Sequence, residues 1–328
     1  MSHIFSHGPA LQAYNLARKC LTLVSFGGAP FSFIINAPFG RFAPRNEGLF
    51  VLDGRRAWMV MEIVSPIMFI YALATAPLAQ HSSGLPSITS PQGLLAALFL
   101  LHYANRAIIS PLRTPSRSKH HIVVSLLGIF FNLLNGSIMG SYLSSPFTLR
   151  WFQQPHATQR IEFKLGLALW ALGFIGNVMH DEILLNIRRK ANAAGKARES
   201  PKGQAKEEYY AIPYGLLYNY ISYPNYFCEW IEWFGFALAS GPFPFRLSSL
   251  SLVDLAFLSS PVHWIFAIVT LVMEPSANFM PNLSPPWIFF LTEIVLMLPR
   301  AYKGHQWYKE RFGESYPKER KAVIPFLL

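Results

Sequence analysis

The sequence predicts an all-α polytopic membrane protein, a bundle of seven transmembrane helices. Three observations lead there. Only 14% of the 328 residues are charged, against about 25% in a soluble domain. Hydrophobic residues make up 52% of the chain, and the mean hydropathy is +0.27. Apolar stretches of near-spanning length recur along the chain, and the basic residues fall between them in a pattern that alternates sides.

Taken in order, residues 1–19 read as a short polar lead. The first apolar stretch, about 20–38, is broken by Gly, Ser and Pro. A loop with Arg41, Arg45, Arg55 and Arg56 precedes Trp58–Ala79, whose one charge is Glu62. Leu94–Ile109 holds Tyr103 and Arg106, and a basic loop over 110–121 follows. Ile122–Leu143 carries no charge. Residues 144–160 read as a loop. Leu165–His180 is charge-free and runs into Asp181, Glu182 and Arg188. Residues 191–207 read as a flexible polar insertion. Ala211–Ala239 is aromatic-rich but carries Asn225, Glu229 and Glu232. Two imperfect copies of one apolar pattern, 258–275 and 283–299, close the membrane part, and 300–328 is a basic tail.

Charge bias decides between seven and eight spans. With seven, and 283–299 the last, 22 of the 28 Lys and Arg lie in 41–56, 106–119, 188–206 and 300–321, all on one side. The positive-inside rule puts that side, and the C-terminus, in the cytosol. Residues 240–282 then form a lumenal or re-entrant insertion. The net charge of +11 is accounted for by cytosolic loops facing anionic lipid, with no need for nucleic acid. Cys20 and Cys228 both sit in apolar contexts and are expected as free thiols.

Several chemistries lack their residues. There is no GxGxxG or GxxxxGK[ST] turn, no HExxH and no GxSxG. The ten histidines are not clustered with ligand spacing, so no metal is expected. What remains is a set of polar groups at membrane depth, where ionisable residues are expensive and face a bundle interior. Asn225, Glu229 and Glu232 share a helical face. Glu62 and Tyr103 make an acid–phenol pair that can polarise a carbonyl. Asn177, Asp181 and Arg188 share another face, suited to ribose hydroxyls and phosphate, or equally to a helix-end ion-pair network. Arg300, Lys303, His305, Tyr308, Lys309 and Arg311 read alone as a solvated basic tail.

Six segments resemble, in order, those of the steroid 5α-reductase family. RRAWMVMEIVSP (55–66) resembles RxAWxxQExPS, and LLHYANR (100–106) resembles LHYxHR. NLLNGSIMGSYL (132–143) is similar to xxNGxxxGxYL, and GNVMHDEILLNIR (176–188) to INxxSDxxLxxLR. YYAIPYGLLYNYISYPNYFCEWIEWFG (209–235) resembles YxIPxGxLFxYVSxxNYxGEIIEWxG. The last 29 residues, 300–328, are similar to RAxxxHxWYxxxFxxYPxxRKAxIPFxx. The resemblance implies a seven-helix fold of the endoplasmic reticulum membrane that uses NADPH to reduce the C4–C5 double bond of a 3-oxo-4-ene steroid. It implies that Glu62 and Tyr103 grip the 3-keto oxygen. Asn177, Asp181, Arg188, Tyr210, Asn225, Glu229, Arg300 and Tyr308 would contact NADPH, with Arg117 and His305 beside them. Trp58, Met61 and Arg106 would line the substrate or its gate. A monomer is expected, with lipid and a steroid as its partners.

Three departures stand out. Met61 replaces the family's Gln, His180 its Ser, and Cys228 its Gly. The larger Cys228 side chain is expected to narrow the cofactor pocket. Enoyl-CoA and polyprenol reductases of the same superfamily, and membrane methyltransferases of related architecture, remain alternatives, as does a non-catalytic transporter or scaffold.

Overall fold

A computed structural model describes residues 8–36, 38, 40–42, 48, 50–79, 84–115, 117–194, 209–244 and 269–328. Its long elements are helices: α1 (Pro9–Ile34), α2 (Gly54–Thr75), α3 (Pro91–Tyr103), α4 (Ser110–Arg113), α5 (Ile122–Leu143), α6 (Pro146–Gln153), α7 (Ile161–Ala193), α8 (Pro224–Ser240) and α9 (Pro285–Phe312). Four are long and apolar enough to cross a membrane: Gly54–Thr75, Pro91–Arg113, Ile122–Leu143 and Ile161–Ala193. The β structure among the described residues is one short antiparallel pair, Val51–Leu52 with His120–His121, and an isolated parallel bridge between Ile221 and Lys321. The pair ties the start of α2 to the start of α5.

Local chemistry explains the helix starts. Asp53 accepts from the Arg56 N–H ahead of α2 at 2.8 Å. Ser90 accepts from Gly93 N–H before Pro91, and Ser145 from Thr148 N–H before Pro146. A Ser cap followed by Pro at the first helical position is a start signal. It places α6 inside 144–160, where a loop was expected. Gly8 and Pro9 likewise begin α1 within what reads as a polar lead. α7 runs on well past His180, and α9 continues to Phe312, so the tail begins as helix.

Between α3 and α4 the chain makes a π-helical turn, Ala104–Ile109, in which Ser110 N–H bonds Asn105 O. Such wide turns occur often at functional sites because they re-aim side chains. Here the turn carries Asn105 and Arg106.

Glycine permits the closest helix contacts. α7 and α8 approach so tightly that a Cβ on Gly173 would strike the Glu232 backbone. α2 meets α5 in the same way at Gly136, where a Cβ would strike Ser65 O. The interior between these pairs is aromatic: Phe69, Phe99, Tyr103, Trp233, Phe236 and Phe289 belong to one cluster. The outward faces are also apolar, with Ile67 and Ile70 of α2, Leu126 and Leu127 of α5, and Leu172 and Ile175 of α7 all exposed. Meanwhile Glu62, Asn132, Asn135, Glu229 and Glu232 are buried. Polar groups inside and apolar groups outside is the arrangement a bilayer demands.

α1 lies against α9 and α5. Its buried Arg18 donates to Met280 O and Leu283 O at 2.8 and 2.6 Å, and Lys19 donates to Val272 O and Glu274 O. The C-terminal residues fold back on the start of α8. Lys321 N–H bonds Tyr220 O, and Ser222 and Tyr223 N–H bond Ala322 O. Residues 258–268 of the repeated apolar pattern, most of the 191–207 insertion, and 245–268 of the 240–282 insertion lie outside the described residues.

Candidate functional site

One cavity of about 460 Å³ opens between α2, the α3–α4 segment, α5, α7, α8 and α9. It is lined by Trp58, Met61, Glu62, Tyr103, Arg106, Arg117, Asn177, Asp181, Arg188, Tyr210, Asn225, Glu229, Arg300 and Tyr308. Residues far apart in sequence thus meet in one space. His305 is the candidate that does not line it. It is buried behind the cavity, with Nδ1 bonded to Ser222 Oγ at 2.6 Å.

Arg106 is the centre of the charged network. Its Nε lies 3.1 Å from Glu62 Oε2 and its Nη1 2.7 Å from Glu229 Oε1. The π-helical turn that carries Arg106 brings one guanidinium between a carboxylate of α2 and a carboxylate of α8. Trp58 Nε1 donates to the Arg106 carbonyl at 3.3 Å, and the Arg117 guanidinium stacks 3.8 Å above the Trp58 ring. A desolvated cation over indole is a favourable contact.

On the α7 side, Asn177 Nδ2 donates to Asn225 O at 3.1 Å and to Glu229 Oε2 at 3.3 Å. Asn225 Nδ2 donates to Asp181 Oδ1 at 3.0 Å. These bonds hold two carboxylates in place at one end of the cavity. Arg300 Nε donates to Tyr226 Oη at 3.1 Å, and Tyr308 stacks on Tyr316 with ring centroids 5.5 Å apart. Tyr210 meets Trp307 edge-on at 4.9 Å.

Tyr103 and Glu62 line the same cavity without bonding each other. Tyr103 Oη accepts from Asn135 Nδ2 at 3.1 Å, and that same amide reaches Ser65 Oγ at 3.4 Å. Asn135 and Ser65 thus hold the phenol oxygen from behind. Asn132 Nδ2 donates to Met61 O at 2.9 Å, and Asn132 itself lines the cavity. An amide from α5 therefore stands beside the position where the family has a Gln and this chain has Met61.

The expectation for Cys228 is corrected. Its thiol does not line the cavity. It packs against Gly176, 3.7 Å from His180 Nδ1. Adjacent residues on a helix point about 100° apart, so when Glu229 faces the cavity, Cys228 faces α7. His180 is also occupied elsewhere: Nδ1 bonds Gly176 O at 2.6 Å and Nε2 accepts from Leu217 N–H at 3.2 Å.

Sequence reasoning missed His102, Asn132, Asn135 and Glu293. His102 Nδ1 hydrogen-bonds the fully buried Glu232 at 2.7 Å, while its Nε2 is 3.8 Å from Glu229. Glu232 was visible as a face-mate of Glu229, but its partner reads in sequence as one more residue of an aromatic run. Glu293 had the same signal as Glu62, a lone charge in an apolar stretch.

Comparison with known proteins identifies the family. The chain is similar to an uncharacterized protein of Schizosaccharomyces pombe, with 37% identity covering 96% of this chain and 99% of that one. It is 31% identical to 3-oxo-5-alpha-steroid 4-dehydrogenase 1 of Rattus norvegicus, over 90% and 87% of the two chains. It is 27% identical to steroid 5-alpha-reductase DET2 of Solanum lycopersicum, over 89% and 88%. The 3-oxo-5-alpha-steroid 4-dehydrogenase family pattern matches residues 118–264 and 276–328. With a charged cavity inside a helical bundle and these matches over most of its length, the chain belongs to the 3-oxo-5-alpha-steroid 4-dehydrogenase family of oxidoreductases.

Proposed function

We propose that this protein reduces the C4–C5 double bond of a 3-oxo-4-ene steroid with NADPH, giving the 5α-reduced 3-oxosteroid. In this reading it is a seven-span monomer of the endoplasmic reticulum membrane with its C-terminus in the cytosol. The observation that carries the reading is Arg106, held 3.1 Å from Glu62 and 2.7 Å from Glu229. It joins the acid expected at the ketone to the acid expected at the cofactor.

The polar end of the cavity suits the cofactor. Arg117, Arg188 and Arg300 line it and offer guanidinium groups for phosphates. Asp181, oriented by Asn225, offers an acceptor for ribose hydroxyls. Tyr210 and Tyr308 supply flat surfaces. NADPH, when bound, supplies the hydride that C5 takes up. Tyr103 donates a hydrogen bond to the 3-keto oxygen, with Glu62 as its companion. Negative charge moves onto that oxygen as C5 is reduced, so donors fixed there lower the barrier. Asn135 holds the phenol, and the aromatic interior keeps water away.

The test is a product assay in yeast microsomes expressing the chain, supplied with NADPH and progesterone or testosterone, and separately with a trans-2-enoyl-CoA. A gain of two hydrogens on the steroid is expected. Glu62→Gln and Tyr103→Phe are each expected to lower turnover about 10²-fold or more at unchanged protein level. Reduction of the enoyl-CoA alone would overturn the steroid reading and move the protein to the fatty-acid branch.

A further inference from the structure

Besides Asp181, four glutamates crowd the interior of the site: Glu62, Glu229, Glu232 and Glu293. Three have close protein partners. Glu62 and Glu229 share Arg106, and Glu232 bonds His102. Glu293 differs. It projects from α9, lines the cavity and is only 8% exposed. Among the described residues no hydrogen bond or ion pair engages its carboxyl, yet its oxygens are not sealed off as Glu232 Oε2 is. It lies close enough to Glu62, Glu229, Arg106 and Tyr103 to interact electrostatically with each.

Buried polar groups in proteins are nearly always hydrogen-bonded. A carboxyl that faces a cavity with no protein donor is completed by what enters the cavity. Its neighbours fix which end of the substrate that is. In the reductase reading Glu62 and Tyr103 grip the ketone, and Glu293 lines the same cavity within electrostatic reach of both.

We propose that Glu293 is the acid that delivers the proton to C4 of the reduced steroid. The inference rests on the reductase reading above. As C5 becomes saturated, the electrons of the C4–C5 bond form the C3–C4 enolate, with its oxygen held by Tyr103. The Glu293 O–H bond then breaks, its proton bonds to C4, and the enolate electrons return to form the C3 ketone. The glutamate left behind recovers its proton from water once product departs. Of the four glutamates it is the one that, among the described residues, has no hydrogen bond or ion pair to Arg106 or His102. The same chemistry run backwards needs no reduction step. Glu293 as carboxylate takes a proton from C4 of the saturated ketone, and Tyr103 stabilises the enolate.

That backward half-reaction is the test. Microsomes in deuterated water are given the 5α-reduced 3-oxosteroid, with and without NADP⁺, and deuterium at C4 is followed by mass spectrometry and NMR. The wild type is expected to place deuterium on one face of C4 faster than solution enolisation does. Glu293→Gln is expected to lose this by about 10²-fold. Glu293→Asp, which keeps the acid, is expected to restore part of it. In the forward direction, wild type in deuterated water is expected to label one face of C4, and Glu293→Gln to label both. A Glu293→Gln protein that labels one face at the wild-type rate overturns the proposal, and so does a wild type that reduces the enone but labels both faces. A wild type that leaves the enone unreduced with NADPH overturns the reductase reading instead. Steroid binding by Glu293→Gln, followed by radioligand, separates a misfolded variant from a folded one, and Glu293→Asp then decides the matter.

Discussion

The two ends of α9 bury charge in opposite ways. In its first half, Glu293 lines a cavity, and two carboxylates share Arg106. At its far end, Ser222 Oγ bonds His305 Nδ1 and Tyr316 Oη, each at 2.6 Å, and the buried Arg320 lies 5.3 and 5.1 Å from the rings of Tyr214 and Tyr316. The first cluster is open to the cavity. The second is covered by its own chain, with Lys321 and Ala322 paired to Tyr220, Ser222 and Tyr223, although the three Arg320 guanidinium nitrogens are buried without a hydrogen-bond partner. Access from the cavity marks where a ligand enters, and backbone pairing marks a clasp. The clasp still reaches the site, because Tyr316 stacks on Tyr308, which lines the cavity.

The largest effect should come from breaking the open cluster at Arg106. Arg106→Gln leaves Glu62 and Glu229 buried without their shared cation. Removing one partner of a buried ion pair costs about 3–5 kcal/mol, and here one change strips two pairs. We expect a marked loss of thermal stability in detergent and of all turnover. Arg106→Lys keeps the charge but cannot fork to both acids. It should recover stability more than turnover, measured side by side on the same preparations.

Breaking the clasp should do less. Arg320→Leu removes a desolvated cation from between two rings, a contact of about 2 kcal/mol or more. The C-terminal segment should become more susceptible to protease. The stack of Tyr316 on Tyr308 should loosen, raising KM for NADPH with little change in kcat. An equal fall in kcat would mean that the clasp belongs to the chemistry.

The clasp is also the part whose pH response can be read. Burial pushes the His305 pKa from 6.5 down to about 4, with Lys309, Arg320 and Lys321 adding to the shift. Between those values the unfolded chain binds a proton that the folded clasp refuses. Clasp stability should therefore rise with pH from about 4 to 6.5 and level off above. Hydrogen exchange of the residue 316–328 amides at pH 5 and pH 7 checks this. A His305→Gln protein should show a flatter dependence.

How much of this was legible in the sequence depended on how loudly a residue contradicts its surroundings. Glu62, Asp181 and Glu229 stand out in apolar or aromatic stretches, and with them the cavity's composition was readable. His102 did not stand out, because a histidine beside tyrosine reads as an interfacial residue, and its partner Glu232 lies 130 positions away. Asn135 is similar: its role depends on a bond to α3 that no local pattern encodes. Helix lengths were misjudged where the apolar run and the helix part company. Hydropathy ends near His180, but the backbone of α7 continues to Ala193 because nothing in the sequence interrupts it. α6 was overlooked although Ser145–Pro146 announces it.

The smallest expected effect concerns Cys228, where the sequence pointed the wrong way. If the thiol narrowed the cofactor pocket, Cys228→Gly would lower KM for NADPH. The geometry argues otherwise, since Sγ packs on Gly176 and lies 3.7 Å from His180 Nδ1, off the cavity. The substitution removes a small buried side chain and adds backbone freedom inside α8, each worth about 1 kcal/mol. It should lower the thermal midpoint slightly and leave KM within about twofold of the wild type. His180→Ser sharpens the contrast. It gives up the bond from Leu217 N–H, which ties α7 to the Leu216–Asn219 turn that carries Tyr218 on the cavity wall. We therefore expect His180→Ser to raise KM where Cys228→Gly does not. Equal effects on KM would mean that the two departures act as one packed unit between α7 and α8.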